Sequence, residues 1–265
     1  MKKAAISFSF DDGRGDNLAV FQGMLIPRGI PATINITTGY IDGSCPENRR
    51  PSTKPALSME NVRLLAENSM VEIALHGDQH QNTESDIARG REKLIEWLDL
   101  PDSHVFGFAS PGSGLPVTRF TESESDLFTR KVSYLRTSLR ISSFRRVRVL
   151  SRKAGRVLHI PLLYRIAYGD TLMDSCEDRV IYSVPVMKDA TFGQVKAIVD
   201  LAVRRRCALT LMFHSIVPDT AQEDNWSWNT EKFEKLCDYV SALEQENKLK
   251  LCTTLQIVNL LQEEK

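Results

Sequence analysis

Short apolar runs alternate with longer stretches of helical spacing along almost the whole chain, and this pattern constrains the fold more tightly than any other feature. The runs at 4–10 (AAISFSF), 31–37 (PATINIT), 71–75 (VEIAL), 105–109 (VFGFA), 180–186 (VIYSVPV), 208–213 (ALTLMF) and 248–253 (KLKLCT) read as strands. Helical spacing falls between them at 17–29, 83–98, 117–131, 191–206 and 230–246, and at 59–69 behind the N-cap Ser58; a last amphipathic helix covers 254–263. Such alternation predicts a parallel sheet with helices outside it. Periodicity alone leaves a doubly wound sheet and a closed barrel both open. At 265 residues the chain reads as one domain spanning 1–265, with no internal repeat.

Charge and cysteine usage exclude several classes of function. The 34 basic residues balance 34 acidic ones, so nothing global advertises a nucleic-acid partner. The opening MKKAAISFSFDDG has too short an apolar core for a signal peptide, and no apolar run approaches the roughly 18 residues of a spanning helix. Cys45, Cys176, Cys207, Cys237 and Cys252 are widely spaced with no CxxC pair, which fits a reducing compartment. A cytoplasmic location is the expectation. One segment differs in kind: 127–169 holds eleven lysines and arginines and no acid. It reads as a solvated insertion, or as a basic rim for an anionic substrate or a lipid headgroup surface.

The chemistry gathers at strand ends. Asp11 and Asp12 end the first run, His76 and His80 follow the third in LHGDQH, Pro111 lies just past the fourth in FASPG, and His214 ends the run in LMFHS. In parallel α/β folds, ligands and catalytic groups collect at the carboxyl edge of the sheet. The four-residue spacing of the histidines puts both imidazoles on one side of a helical turn. Two imidazoles and one carboxylate make a three-ligand metal site with open positions. Side chains of successive extended residues diverge, so one aspartate can bind a metal while its neighbour stays off it. A metal acidifies water and polarises a carbonyl; the free aspartate can then act as general base, and a histidine opposite can protonate a leaving amine. That set describes metal-assisted hydrolysis of an amide or ester.

In that order, SFSFDDG, LHGDQH, FASPGSG and LMFHSI resemble the motifs of the polysaccharide deacetylase family, the NodB-homology group also called carbohydrate esterase family 4. YLRTS at 134–138 and the stretch at 232–261 extend the resemblance over nearly the whole chain. It implies a distorted (β/α) barrel of about seven parallel strands and hydrolysis of N-acetyl groups from amino sugars. Matched by position, Asp11 is the general base and Asp12, His76 and His80 are the ligands of one divalent metal. His214 is the general acid, and Pro111 and Gly112 lie in the groove wall. Zn²⁺ suits this donor set; Co²⁺, Ni²⁺ and Mn²⁺ fit it too. Many members carry in the third motif an arginine that orients the catalytic aspartate, and some subgroups lack it; that position is Ala109 here, with Arg136 a candidate substitute. DNWSWN at 224–229 follows the His214 strand and does not fit the fourth motif. Its Trp226 and Trp228 either stack on a sugar ring in the groove or pack their loop down.

The expected partner is therefore an N-acetylated saccharide. A hydrolase of another small C–N bond, or an inactive carbohydrate-binding relative, stays open beside it. An anionic surface is a possible peripheral contact through 127–169.

Overall fold

The computed structural model describes residues 1–46, 55–112, 132–138, 145–176, 179–222 and 224–263. Seven parallel strands form a ring: β1 (Ala4–Phe10), β2 (Ala32–Ile36), β3 (Val71–Leu75), β4 (Phe108–Ala109), β5 (Leu135–Thr137), β6 (Val180–Pro185) and β7 (Ala208–Phe213), with β7 closing on β1. A short parallel pair, β8 (Ser215–Val217) with β9 (Ser227–Asn229), follows β7, and β10 (Leu249–Leu251) lies outside the ring order. The helices are α1 (Asn17–Val20), which runs on through a π turn and a 3-10 turn to Arg28, then α2 (Thr38–Ile41), α3 (Met59–Ala66) and α4 (Glu84–Leu98). After them come α5 (Arg145–Leu158), α6 (Pro161–Tyr168), α7 (Phe192–Arg205), α8 (Thr230–Gln245) and α9 (Thr254–Glu263).

The ring is uneven for a reason visible in β1. Along one side β1 pairs with β7 from Ala5 to Phe10; its other side is divided, with Ala4–Ile6 on β10 and Phe8–Phe10 on β2. Across the ring, β3 and β4 share the single register pair Leu75 with Phe108. The predicted run at 105–109 thus yields a two-residue strand.

The alternation in β1 follows from two different surroundings. Ile6, Phe8 and Phe10 face the helices, where Phe8 and Phe10 meet Phe213 and Phe233. Ser7 and Ser9 face the narrow lumen and hydrogen-bond to Thr254 and Asn35. Burying each large apolar side chain in the outer layer is worth about 1.5–3 kcal/mol. The start of α9 fills the amino end of the ring: Thr254 is fully buried, its N–H donates to Thr33 Oγ1 at 2.8 Å, and Leu255 N–H donates to Glu72 at 2.9 Å.

Two further sequence expectations change. The helix over 17–29 is an α turn, a π turn and a 3-10 turn in succession, ending at Gly29, whose φ of 66° suits glycine. The basic segment contains strand β5 and the helical pair α5 and α6, which the mixed pattern there did not distinguish. The helix expected at 117–131 lies outside the described residues, as do 127–131 and 139–144 of the basic segment. The five cysteines are free and buried, and no helix among the described residues is long and apolar enough to cross a membrane.

Candidate active site

Asp11 continues β1, its N–H donating to Phe213 O of β7 at 2.9 Å. The chain then turns sharply: Asp12 has a φ of 74° and Gly13 one of 65°. Aspartate tolerates this left-handed region better than most residues, but the conformation is still strained and is held by its surroundings. The clamp on Asp12 is Arg14, 2% exposed, whose Nε and NH2 both lie 3.1 Å from Asp12 Oδ2. Arg14 NH1 in turn donates to Ser215 Oγ at 3.1 Å and Asp224 Oδ2 at 2.9 Å. Oδ2 is thereby occupied, and only Oδ1 of Asp12 is left to face the histidines.

His76 follows β3 and its Nδ1 lies 2.8 Å from Ala109 O. A carbonyl can only accept, so the ring proton sits on Nδ1 and the lone pair of Nε2 points away from it. The loop carrying His80 is not the helical turn that the spacing suggests. It is an irregular segment pinned from below by Asp86, in the first turn of α4, which accepts the N–H groups of Asp78, Gln79 and Gln81 at 3.1, 2.8 and 2.9 Å. Gly77 has a φ of 83°, and a Cβ there would come within 2.3 Å of Asp86 Oδ2, so the glycine in LHGDQH is required by the loop. His80 itself takes a φ of 55°. The two imidazoles meet edge to face at 4.9 Å.

These constraints converge on one point. Asp12 Oδ1 lies 3.6 Å from His76 Nε2 and 3.5 Å from His80 Nε2, and it is buried without a hydrogen-bond partner. One donor atom from each of the three residues falls within 4.8 Å of the others. An orphaned carboxylate oxygen beside an imidazole lone pair is unfavourable unless a cation lies between them. Protonation of His80 does not supply that cation at neutral pH: burial, reinforced by His76, lowers its pKa to about 4 against the pull of Asp12 and Asp11. Asp12 is pushed up by burial, but His214, Arg14 and the two histidines overcome that and hold it at about 2. Oxygen and imidazole donors of this kind fit a divalent ion.

Asp11 is built differently. Arg136, 1% exposed on β5, donates through NH2 to both carboxylate oxygens at 2.6 and 2.7 Å, and Asn35 Nδ2 donates to Oδ1 at 2.9 Å. Arg136 is braced by Ser183 Oγ of β6 at 2.9 Å. Burial raises the Asp11 carboxyl, and the guanidinium of Arg136, with smaller help from His76 and His214, brings it below its ordinary value. Asp11 therefore rests as an anion held by Arg136 and Asn35.

His214 follows β7; its backbone carbonyl accepts from Asn17 Nδ2 at 2.7 Å, and its ring lies 4.6 Å from that of Trp226. Its Nδ1 is buried without a partner, and burial lowers its pKa to about 4 although Asp12 and Asp11 oppose this. Pro111 and Gly112 follow β4 at the same edge of the ring, with Pro111 O accepting from Asn82 Nδ2 at 2.9 Å. Trp226 is half-buried beside His214, at a position where a ligand can reach it. Trp228 is a correction: it is fully buried among Phe213 and Phe233, with Nε1 donating to Ala190 O at 2.8 Å, and so lines no groove. Trp228 lies within β9 and packs inward, whereas Trp226 precedes the strand and stays half-buried.

Sequence reading missed Arg14, Asn35, Asp86 and Asp224. Arg14 sits immediately after FDDG, and a charged residue in that turn was the available signal. Asp86 three residues after Thr83 is the acid expected in a first helical turn. Asp224 of DNWSWN fits no deacetylase motif, and the structure assigns it to Arg14.

No protein-family model matches the chain, and no curated protein matches its sequence. Solved structures do. A Mycobacterium smegmatis protein proposed to be a polysaccharide deacetylase superposes with a TM-score of 0.52 at 14% identity, over 99% of this chain and 91% of that one. A family 4 acetyl xylan esterase from Clostridium thermocellum, solved with a cobalt ion, gives 0.46 at 11% identity, over 97% and 91% of the two chains. The deacetylase domain of BpsB from Bordetella bronchiseptica gives 0.40 at 12% identity, over 51% of this chain and 64% of its own, so this chain spans less than two thirds of it. The Mycobacterium smegmatis match shows the fold: this chain has the uneven parallel ring of a polysaccharide deacetylase structure, in agreement with the resemblance of its motifs.

Proposed function

We propose that this chain is a metal-dependent hydrolase that removes N-acetyl groups from an amino sugar or a glycan built from one. The observation that carries the reading is Asp12 Oδ1, buried and unpartnered beside the Nε2 atoms of His76 and His80. Asp12, His76 and His80 would hold one divalent ion, Zn²⁺ by the chemistry of the donors. When bound, such an ion supplies Lewis acidity, acidifying water and polarising an amide carbonyl.

The chain's own residues supply the proton transfers. Asp11, kept anionic by Arg136, takes a proton from the attacking water as its oxygen adds to the acetyl carbon. Arg136 and Asn35 fix the carboxylate so that little rearrangement is needed at that moment. His214 rests neutral, so it must take up a proton before passing one to the sugar nitrogen, and the nearby aspartates favour that charge. The C–N bond then breaks to leave a free amine and acetate. Trp226, beside His214, offers an aromatic face to a sugar ring. The Mycobacterium smegmatis neighbour, proposed to be a polysaccharide deacetylase, fits this substrate class.

The test combines metal analysis with acetate release from N-acetylglucosamine oligomers. Wild type is expected to bind one divalent ion per chain and release acetate. Asp12→Ala should lose the ion, whereas Asp11→Asn should keep it and lose activity by about 10²-fold or more. Stoichiometric metal with no acetate from any acetylated saccharide, and turnover of small cyclic amides instead, would overturn the saccharide reading.

A further inference from the structure

Among the described residues, seven of the nine large apolar side chains that stand exposed lie between positions 147 and 166, on the pair of helices α5 and α6. On α5 they are Val147, Leu150, Val157 and Leu158; Leu150 is 69% and Val157 76% exposed. With Ala154, the positions 147, 150, 154 and 157 follow the three- and four-residue steps of one helical face. Ile160 in the connection, then Leu162 and Ile166 on α6, continue the surface. The side facing the protein carries Ser151, Gly155, Tyr164 and Tyr168, all buried. The helices pack against each other at Gly155, with Leu163 Cβ 3.5 Å from where a Cβ would stand. The helix therefore turns its aliphatic stripe outward, the reverse of an ordinary surface helix.

The charge on this surface has one sign. Residues 145–168 contain seven arginines and lysines and no acid. Arg148 and Arg156 reach Asp170 and Asp189 and tie the pair to the body of the protein. Arg146 and Lys153 stand exposed two turns apart on α5 beside the aliphatic stripe and make no ion pair among the described residues.

We propose that α5 and α6 form a docking surface for an anionic lipid bilayer. Aliphatic side chains flanked by exposed cations match an interface of acyl chains below negative headgroups. A nucleic acid would use the cations but gain nothing from exposed leucine and valine. The placement adds to this. Gly155 O accepts from Gln194 Nε2 at 2.7 Å and Arg156 reaches Asp189, both in the stretch that follows the carboxyl end of β6. The exposed turn between α5 and α6 thus lies at the same edge of the ring as Asp12, His76 and His80, and docking would bring that edge to the membrane.

The experiment is cosedimentation of the full chain with vesicles of phosphatidylcholine alone and of phosphatidylcholine mixed with phosphatidylglycerol. It needs no turnover, so its outcome is separate from that of the deacetylase reading. Wild type is expected to bind the mixed vesicles about tenfold or more better than the neutral ones, and to release them at high salt. Leu150→Ser with Val157→Ser, and separately Arg146→Gln with Lys153→Gln, should each lower binding about tenfold with unchanged thermal melts. Failure to bind mixed vesicles, or binding that survives both pairs of changes, overturns the proposal. So does a dimer lost in the Leu150→Ser, Val157→Ser protein without vesicle binding, which would assign the face to a second copy of the chain.

Discussion

The lumen of the ring holds a carboxyl group at each end, and the two are handled in opposite ways. At the carboxyl end, Asp11 meets the guanidinium of Arg136 through both oxygens and stays ionised below its ordinary range. At the amino end, Glu72 of β3 meets only neutral donors: Tyr134 Oη at 2.6 Å, Thr33 Oγ1 at 2.8 Å and the N–H of Leu255 at 2.9 Å. Burial there outweighs these bonds and raises the Glu72 carboxyl. The difference separates two tasks. A charge is kept where the proposed reaction would move protons, and a hydrogen-bonded plug is kept where the ring only needs closing.

Removing the cation at the upper end should have the largest effect. Arg136→Ala leaves Asp11 buried without its partner, a change expected to cost about 3–5 kcal/mol of stability in urea denaturation. Adding Asp11→Asn should recover part of that loss, because the uncompensated charge goes too. A loss below about 1 kcal/mol in the single variant would mean that water replaces the guanidinium, and the contrast between the ends would fail.

Much of the upper end was legible in the sequence, because parallel strands deliver their carboxyl ends to one edge. Asp11, Asp12, His76 and His214 each close an apolar run, and His80 follows His76 by four residues, so position grouped them. What holds them was harder to read. Arg136 belongs to a three-residue strand too short to announce itself, and Arg14 acts through a turn whose left-handed backbone no pattern displays. The pinning of His80 by Asp86 depends on three backbone N–H groups, which carry no side-chain signal. Trp228 was ambiguous because two tryptophans flank one serine, and only the start of β9 at Ser227 separates the one in the strand from the one in the loop before it.

The lower end offers a smaller test with the opposite sign. Glu72 binds its proton more readily in the folded chain than in the unfolded one. Its contribution is therefore favourable below the ordinary glutamate value of 4.5 and is lost as pH rises through the higher folded-state value. Glu72→Gln, which cannot ionise, should be more stable than wild type near neutral pH by about 1 kcal/mol, since the residue keeps some contact with solvent. The gap should close as pH falls toward 4.5, in thermal melts taken across that range. A wild type that stays the more stable at neutral pH would show that the hydroxyl donors support a charge after all.

The smallest effect concerns the plug itself. Thr254 Oγ1 lies 3.1 Å from Ser7 Oγ and 3.0 Å from Thr33 Oγ1, and Thr33 also donates to Glu72. Thr33 has one hydroxyl proton to give, so its bond to Thr254 and its bond to Glu72 compete. Thr254→Val keeps the shape and removes the hydroxyl, at an expected cost of about 0.5–1.5 kcal/mol. With Thr254 silenced, the Thr33 proton is committed to Glu72, and the charged carboxylate should be easier to hold. Glu72→Gln should then stabilise the Thr254→Val protein less than wild type, with a coupling of about 0.5 kcal/mol or more in a double-mutant cycle. Additive effects would instead mean that Glu72 and Thr254 fix α9 independently, each through its own backbone contact.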